Sequence, residues 1–143
     1  MRAWIIVLVL FIAQPVYGGA LKEISETKSL SNEIMQLFVK EEFTKGLNLA
    51  KTYWPLPPDE IDGLANQINA QWSVVRNRFG NPTGMEFIKE EKIGKSFVRF
   101  YYLHKFENHA IYWTFTFYKP KKEWKINGIT FKDDLDSLFM PKE

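Results

Sequence analysis

Hydrophobic and polar residues alternate through the second half of the chain, between residues 84 and 131. A period of two, carried by aromatic and β-branched residues, is typical of strands that bury one face. The two strongest runs span residues 96–107 and 110–119. The pattern predicts four consecutive antiparallel strands in one sheet, whose apolar face must be covered by another element.

The pairing of the two central strands follows from the residues between them. Asn tolerates positive φ angles, so Asn108-His109 is predicted to form a two-residue hairpin loop, which places Glu107 opposite Ala110. A slip by one residue would exchange the two faces of each strand, so the apolar pattern supports this register. The predicted core face then carries four cross-strand pairs: Phe100/Phe117, Tyr102/Phe115, His104/Trp113 and Phe106/Ile111.

The outer strands are placed by the same reasoning. Loops are predicted at residues 93–94 and 119–122, the second because Pro120 has no N–H to donate to a ladder. The outer strands then meet the central strands at four positions: Phe87/Phe100, Met85/Tyr102, Trp124/Phe117 and Ile126/Phe115.

The opposite face of the central strands is amphipathic, with tyrosine, threonine and long cationic side chains. Protein interfaces are enriched in Tyr and Arg, and a large exposed patch on a monomer needs an explanation. This face is therefore a candidate interface for a protein partner or for a homodimer, and an ordinary solvated sheet face is the alternative. The candidate interface residues are Arg99, Tyr101, Leu103, Tyr112, Thr114, Thr116 and Tyr118.

The first half of the chain has the spacing of helices. A helix is predicted to begin at Ser29 or Ser31, after a frayed polar segment at residues 21–28. Gly46 is predicted to end it in the left-handed position, before a short second turn at residues 47–53.

The longest predicted helix follows a proline-rich extended connector at residues 54–58. Pro58 suits the first turn, acidic residues follow it, and Gly80 ends the helix. One apolar stripe is predicted to lie across the sheet: Ile61, Leu64, Ala65, Ile68, Trp72, Val75 and Phe79.

After the sheet, Asp133 or Asp134 is predicted to cap a short helix with Leu135, Leu138 and Phe139 turned inward. Together these elements predict an α+β domain. Its N-terminal helices pack on one face of a four-stranded antiparallel meander.

The first twenty residues have the organisation of a secretory signal peptide. Arg2 is followed by the apolar run 3–13 and by the small residues Gly18-Gly19-Ala20. Cleavage after Gly18 or after Ala20 fits equally, and residues 21–143 then form a single domain. The apolar run is shorter than the roughly 20 residues that span a bilayer, and an uncleaved N-terminal anchor is the alternative.

Composition narrows the compartment and the class of partner. The chain has no cysteine, so export without disulfides predicts a bacterial periplasmic or secreted protein. The chain has 19 Lys and Arg residues, and removal of Arg2 with the signal peptide leaves 18 basic residues against 17 acidic ones. This balance argues against a nucleic-acid-binding protein.

Five aromatic side chains are candidates for lining a pocket between the long helix and the sheet: Tyr102, His104, Trp113, Trp72 and Trp54. In an open pocket, His104 would act as an acid, a base or a donor to a ligand. The alternative is a buried core histidine, because a catalytic base needs an oriented partner and the sequence shows none. The tryptophans are likewise either pocket walls or core.

No motif predicts a metal or a cofactor, since His109 and Glu107 supply too few ligands for zinc. The cluster of Lys119, Lys121 and Lys122 is interpreted as a solvated turn whose charge protects the sheet edge. Contact with an anionic surface is the alternative interpretation of this cluster.

Three segments mark the order of the elements: Gly46-Leu47-Asn48-Leu49-Ala50, Arg78-Phe79-Gly80 and Trp124-Lys125-Ile126-Asn127-Gly128. Across residues 31–131 this order resembles the NTF2-like (cystatin-like) superfamily of cone-shaped α+β domains, in particular small secreted bacterial members. Members of that superfamily include ketosteroid-isomerase-like enzymes, dehydratases and non-catalytic binding or assembly domains, so the fold alone does not choose a function. The enzymes use pocket carboxylates beside Tyr or His donors. Here no carboxylate of the central strands accompanies Tyr102 and His104.

The sequence leaves three functional hypotheses. The first is an exported, non-enzymatic domain that binds a small apolar ligand or a protein partner. The second is a small-molecule enzyme of the ketosteroid-isomerase or dehydratase kind, which would use Tyr102 and His104. The third is a dimeric structural subunit that associates through its tyrosine-rich sheet face.

Overall fold

A computed structural model of the chain describes residues 19–139. The predicted signal peptide therefore lies outside the described residues, except for Gly19 and Ala20. Within the described part the chain forms three α-helices, α1 (Ile24–Val39), α2 (Phe43–Ala50) and α3 (Pro58–Phe79). The four strands that follow are β1 (Pro82–Ile93), β2 (Phe97–Phe106), β3 (Ala110–Tyr118) and β4 (Lys125–Lys132). Short 3₁₀ helices occupy Lys51–Tyr53 and Leu135–Phe139.

The strands form one antiparallel sheet in the order β1-β2-β3-β4, and the helices cover one face of it. This confirms the α+β architecture. The predicted core face is also correct, since the alternate residues of β2 and β3 on that face are all buried: Phe100, Tyr102, His104, Phe106, Ile111, Trp113, Phe115 and Phe117. No helix among residues 19–139 is both long and apolar enough to cross a membrane.

The predicted cross-strand register is wrong by two residues. His104 lies opposite Ile111, and Tyr102 lies opposite Trp113. The reason is the length of the β2–β3 loop, which closes with a hydrogen bond from Phe106 N to His109 O (2.9 Å) instead of at residues 107 and 110. The loop is also held from outside, because Asn108 N donates to the carbonyl oxygen of Phe79 at the end of α3 (2.9 Å). A shift of two residues preserves the parity of each strand, so the faces stay as predicted.

At the positions compared here, the outer strands are also displaced by two residues. Phe87 lies opposite Tyr102, and Ile126 lies opposite Phe117. Irregularities between residues 87 and 89 of β1 and at residues 116–117 of β3 interrupt the ladders. Trp124 is not opposite Phe117 but forms an isolated bridge with Leu21.

That bridge corrects the prediction for the start of the domain. Residues 21–28 are not a frayed segment, because Leu21 and Thr27 are fully buried and α1 already begins at Ile24. Thr27 donates its hydroxyl to Ile24 O (2.6 Å), which satisfies its polar group inside the first turn.

Gly46 does not end a helix, as the sequence predicts, but lies inside α2. The break between α1 and α2 falls at Glu41, which has φ of 62°. Gly46 instead permits close packing, since a Cβ at this position would lie 2.6 Å from Cε1 of Phe38. The close packing of α2 against α1 therefore requires a residue without a side chain at position 46. It does not use the conformational freedom of the glycine backbone.

Gly46→Ala is expected to destabilise the domain by roughly 1–3 kcal/mol, because the added methyl group forces the buried Phe38 ring out of position. The measurement is the free energy of unfolding in urea. Gly63→Ala is the matched control, since Gly63 lies in α3 with no atom within 4 Å of a built Cβ. The control should gain up to about 1 kcal/mol from helix propensity. Equal losses in both variants would contradict this account.

The predicted C-terminal helix is a 3₁₀ helix and is not turned inward. Phe139 is 81% exposed, and no residue of Leu135–Phe139 is fully buried. Asp134 does stabilise its start, where Oδ1 accepts the backbone N–H of Asp136 (3.1 Å).

Candidate functional site

The five pocket candidates fall into separate surroundings. Trp72, on the sheet-facing side of α3, meets His104 of β2 and Trp113 of β3, with ring centroids 5.6 and 6.3 Å from that of Trp72. Tyr102 packs instead edge-on against Phe115, at 5.6 Å. Trp54 lies apart from both groups, beside a concavity of about 170 Å³ lined by residues 19–20, 52–55 and 123–125.

His104 is enclosed by aromatic rings and is fully buried. The Phe106 and Trp72 rings stack on it with centroids 4.5 and 5.6 Å away. The indole Nε1 of Trp113 donates to His104 Nδ1 (3.2 Å). These rings occupy the space in which the sequence placed an open pocket, so His104 has the surroundings of a core residue.

The protonation state of the His104 side chain follows from its burial. Burial lowers the pKa of His104 from 6.5 to about 4, and the Glu41 carboxylate opposes this only in part. Because Trp113 Nε1 can only donate, Nδ1 is the acceptor and the proton of the neutral ring resides on Nε2. Nε2 has no hydrogen-bond partner among the described residues. His104 is therefore uncharged at neutral pH.

Tyr102 is equally unsuited to proton transfer at neutral pH. Burial raises the pKa of its phenol to about 12. Its hydroxyl has no partner within residues 19–139. A general acid or base works best with a pKa near the operating pH, and neither Tyr102 nor His104 meets that condition.

A chain of polar contacts secures the helices beside this core. The carboxylate of Glu41 accepts from Trp72 Nε1 (3.1 Å) and from Arg76. Arg76 Nη2 donates to Asn81 Oδ1 (2.6 Å), and Asn81 Nδ2 donates to Glu107 Oε1 (3.1 Å). The chain joins the α1–α2 break to the β2–β3 loop, and its role is structural.

The outer sheet face differs from the predicted interface because its β3 side is covered by its own neighbours. Tyr112, Thr114 and Thr116 are 4, 8 and 7% exposed. The hydroxyl of Tyr112 meets Ser137 Oγ of the last 3₁₀ helix at 2.9 Å. Thr116 Oγ1 accepts from Arg99 Nε (2.7 Å). These three residues stabilise the face but present little surface to a partner.

The accessible part of that face lies at the end of the sheet formed by the β1–β2 turn. Ile93, Phe97 and Tyr118 are successive cross-strand partners and make one row. Ile93 is 75% and Tyr118 is 38% exposed, and the Phe97 and Tyr118 rings stack at 4.7 Å. We call these three residues the apolar row. The sequence does not predict it as a unit, because it predicts that Ile93 lies in a loop.

A groove of about 240 Å³ adjoins the apolar row. The residues that line it include Glu91, Arg99, Tyr101, Thr116 and Asn127. Lys89 Nζ contacts Glu91 Oε1 at 3.0 Å and lies 4.6 Å from the centre of the Tyr101 ring. The hydrogen bond from Lys89 lowers the pKa of Glu91, so the groove carries a fixed carboxylate beside a guanidinium.

No group of three His, Asp or Glu side chains within residues 19–139 is placed to hold a metal ion. Comparisons of the chain with models of protein families, with curated proteins and with solved structures found no match.

Proposed function

We propose that this chain is an exported, non-catalytic binding domain that docks a protein partner on its outer sheet face. The observation that carries the proposal is the apolar row beside the 240 Å³ groove. Ile93 exposes three quarters of its surface there. Exposed apolar side chains grouped beside polar ones mark interaction surfaces.

The size and chemistry of the groove favour a protein over a small molecule. Pockets that enclose small ligands have volumes of about 300–1,000 Å³, and this groove is smaller. It suits one or two side chains of a partner. Arg99 and Tyr101 are of the residue types that dominate interface energetics, and the adjacent Glu91 adds a charge of opposite sign.

The buried aromatic residues around His104 support neither the enzyme hypothesis nor the hypothesis of a small apolar ligand. A small-molecule enzyme needs substrate access to Tyr102 and His104, and both side chains are fully buried. A small apolar ligand in the cone would have to displace the Trp72 ring from His104.

Export and family remain part of the proposal. Export is supported by Arg2, the apolar run 3–13 and the small residues at 18–20, together with the absence of cysteine. The NTF2-like relationship is supported by the resemblance in the order of helices and strands, with the helices covering one face of the meander.

The proposal is tested by site-specific photo-crosslinking in the producing cell. A benzophenone side chain in place of Tyr118 is expected to crosslink one discrete partner, which mass spectrometry then identifies. The same probe in place of Val74, which is 65% exposed on α3, is the control and should not give that product. A product of twice the chain mass would identify the partner as a second copy, as the homodimer hypothesis requires.

Arg99→Glu should abolish the crosslink from position 118, because it reverses a charge that lines the groove. Lys40→Glu makes the same change of charge on an exposed residue at the end of α1, away from the outer sheet face, and should leave the crosslink intact. The absence of any product at position 118, or the same product at position 74, would overturn the proposal. Native mass spectrometry of the purified chain would reveal a retained small molecule, which would restore the ligand hypothesis.

A further inference from the structure

Lysine side chains converge on a second groove at the same end of the sheet. It adjoins the groove of about 240 Å³ that is proposed to dock the partner, called the partner groove, and shares Phe97 with it. This concavity of about 280 Å³ is lined by Lys22, Lys92, Lys95 and Lys119. They come from three separate places in the chain: the segment before α1, the β1–β2 hairpin and the end of β3. The antiparallel meander brings the β1–β2 and β3–β4 turns to one end of the sheet, and the bridge between Leu21 and Trp124 adds Lys22 to them.

The described part of the chain makes little use of the ammonium groups of these four lysines. Among residues 19–139, none of them takes part in an ion pair within 4.0 Å. Only Lys119 has a specific contact, with Nζ 5.7 Å from the centre of the Trp124 ring. One carboxylate, that of Glu23, lines the same groove without pairing with them. The groove therefore presents unneutralised positive charge.

The adjoining β3–β4 turn extends this charge. Lys121, Lys122 and Lys125 line a neighbouring concavity, with Glu123 as its single carboxylate. All three lysines are exposed. Seven lysines thus stand against two glutamates over these two concavities, although the whole chain has a formal net charge of only +2. The positive charge is concentrated at one end of the sheet, which is named the lysine end here.

Apolar groups accompany the charge at the lysine end. Ile93 immediately precedes the β1–β2 turn and is 75% exposed. The chain also enters the domain here, since Gly19 and Ala20 lie beside Trp124 and Lys125. Cationic side chains around an apolar tip suit a surface that is anionic outside and apolar beneath.

We propose that the lysine end docks on the surface of an anionic lipid bilayer. The lysines contact the phosphate groups, and the Ile93 side chain reaches the boundary of the acyl chains. This surface adjoins the partner groove, with which it shares Phe97, so Ile93 contacts either the bilayer or the protein partner and not both at once.

The test is co-sedimentation of the chain, as purified from the producing cell, with lipid vesicles. Vesicles of phosphatidylcholine alone are compared with vesicles that also contain phosphatidylglycerol, at low and high salt. We expect binding only to the anionic vesicles and its loss at high salt. Each lysine near such a surface contributes roughly fivefold to the partition coefficient. Replacement of Lys22, Lys92, Lys95 and Lys119 by Gln should therefore weaken binding by roughly 600-fold.

A matched variant makes the same change of charge elsewhere, at four exposed lysines outside the lysine end: Lys40, Lys45, Lys105 and Lys132, each to Gln. It should retain most of the binding. Equal losses of vesicle binding in the two variants would show that binding depends only on net charge, and would overturn the proposal. Equal binding to neutral vesicles would overturn it too. Binding to soluble poly-glutamate through the same lysines, without binding to vesicles, would overturn the proposal and indicate that the partner of the lysine end is an acidic protein.

Discussion

Trp113→Ala is expected to lower the free energy of unfolding by roughly 3–5 kcal/mol, as large-to-small changes of buried aromatic residues do. Trp113 has no exposed surface and lies at the centre of the contact between helices and sheet. Its ring centroid is 4.5 Å from that of Phe38 on α1 and 4.8 Å from that of Phe131 on β4. Truncation leaves a cavity between two layers that are tied together at other points, so the structure cannot close it fully.

The substitution also removes the donor to His104. Without Trp113 Nε1, the Nδ1 atom of His104 joins Nε2 as a buried polar atom without a partner. A buried acceptor that loses its donor costs about 1–3 kcal/mol, which places the expected loss toward the upper end of the range.

Urea denaturation measured by far-UV circular dichroism gives the stability of the variant. Tyr118→Ala is the control, because Tyr118 lies on the same strand but is 38% exposed. Its loss should be about 1 kcal/mol or less, mainly from the stack on Phe97. A loss within about 0.5 kcal/mol for Trp113→Ala would mean that the helices do not pack on this face of β3.

The faces of the sheet were predictable, and its register was not. Alternation assigns His104 and Trp113 to the same buried face because parity is a local property of the sequence. The register depends on whether the β2–β3 loop has two or four residues. The four-residue loop is held by the bond from Asn108 N to Phe79 O, a contact between loop and helix that no local pattern reveals.

Gly46 shows the same limit in the helices. Glycine commonly marks the end of a helix, and the sequence offers no sign that the Phe38 ring will lie against this position. The break is set at Glu41 instead, whose carboxylate is held by Trp72 and Arg76 from α3. Tertiary contacts here override the local preference of the chain.

The candidate site was predictable in part. Arg99, Tyr101 and Tyr118 are correctly placed on the outer face because alternation fixes their parity. Tyr112 is covered by Ser137, and a contact between residues 25 positions apart is not visible in the sequence. Ile93 continues the strand by one residue, with its side chain on the outer face. Its row with Phe97 and Tyr118 becomes evident only from the register.

The second large effect is the loss of stability in acid through His104. Its pKa falls from the ordinary value of 6.5 to about 4 in the folded chain, so the unfolded state binds more protons between these values. Stability is therefore fully present above about pH 6.5 and falls as the pH decreases toward 4. One pKa unit corresponds to about 1.4 kcal/mol, so the loss by pH 4 is about 3 kcal/mol. The physical cause is that a charged imidazole would lie among Trp72, Phe106 and Trp113, with no anion of residues 19–139 in contact with it.

His104→Asn isolates this contribution, because the Asn side-chain oxygen is an acceptor for Trp113 Nε1 and does not titrate. The variant should be less stable at neutral pH through lost packing. Its stability should nevertheless fall by about 3 kcal/mol less than that of the parent chain between pH 7 and about pH 4. Subtraction of the two curves cancels the titration of the carboxylates that both proteins share. His109→Asn, at the exposed second histidine, should retain the full decline. Parallel curves for the parent chain and His104→Asn would show that the imidazole accepts a proton without cost, and that an anion or water reaches Nε2 in the folded state.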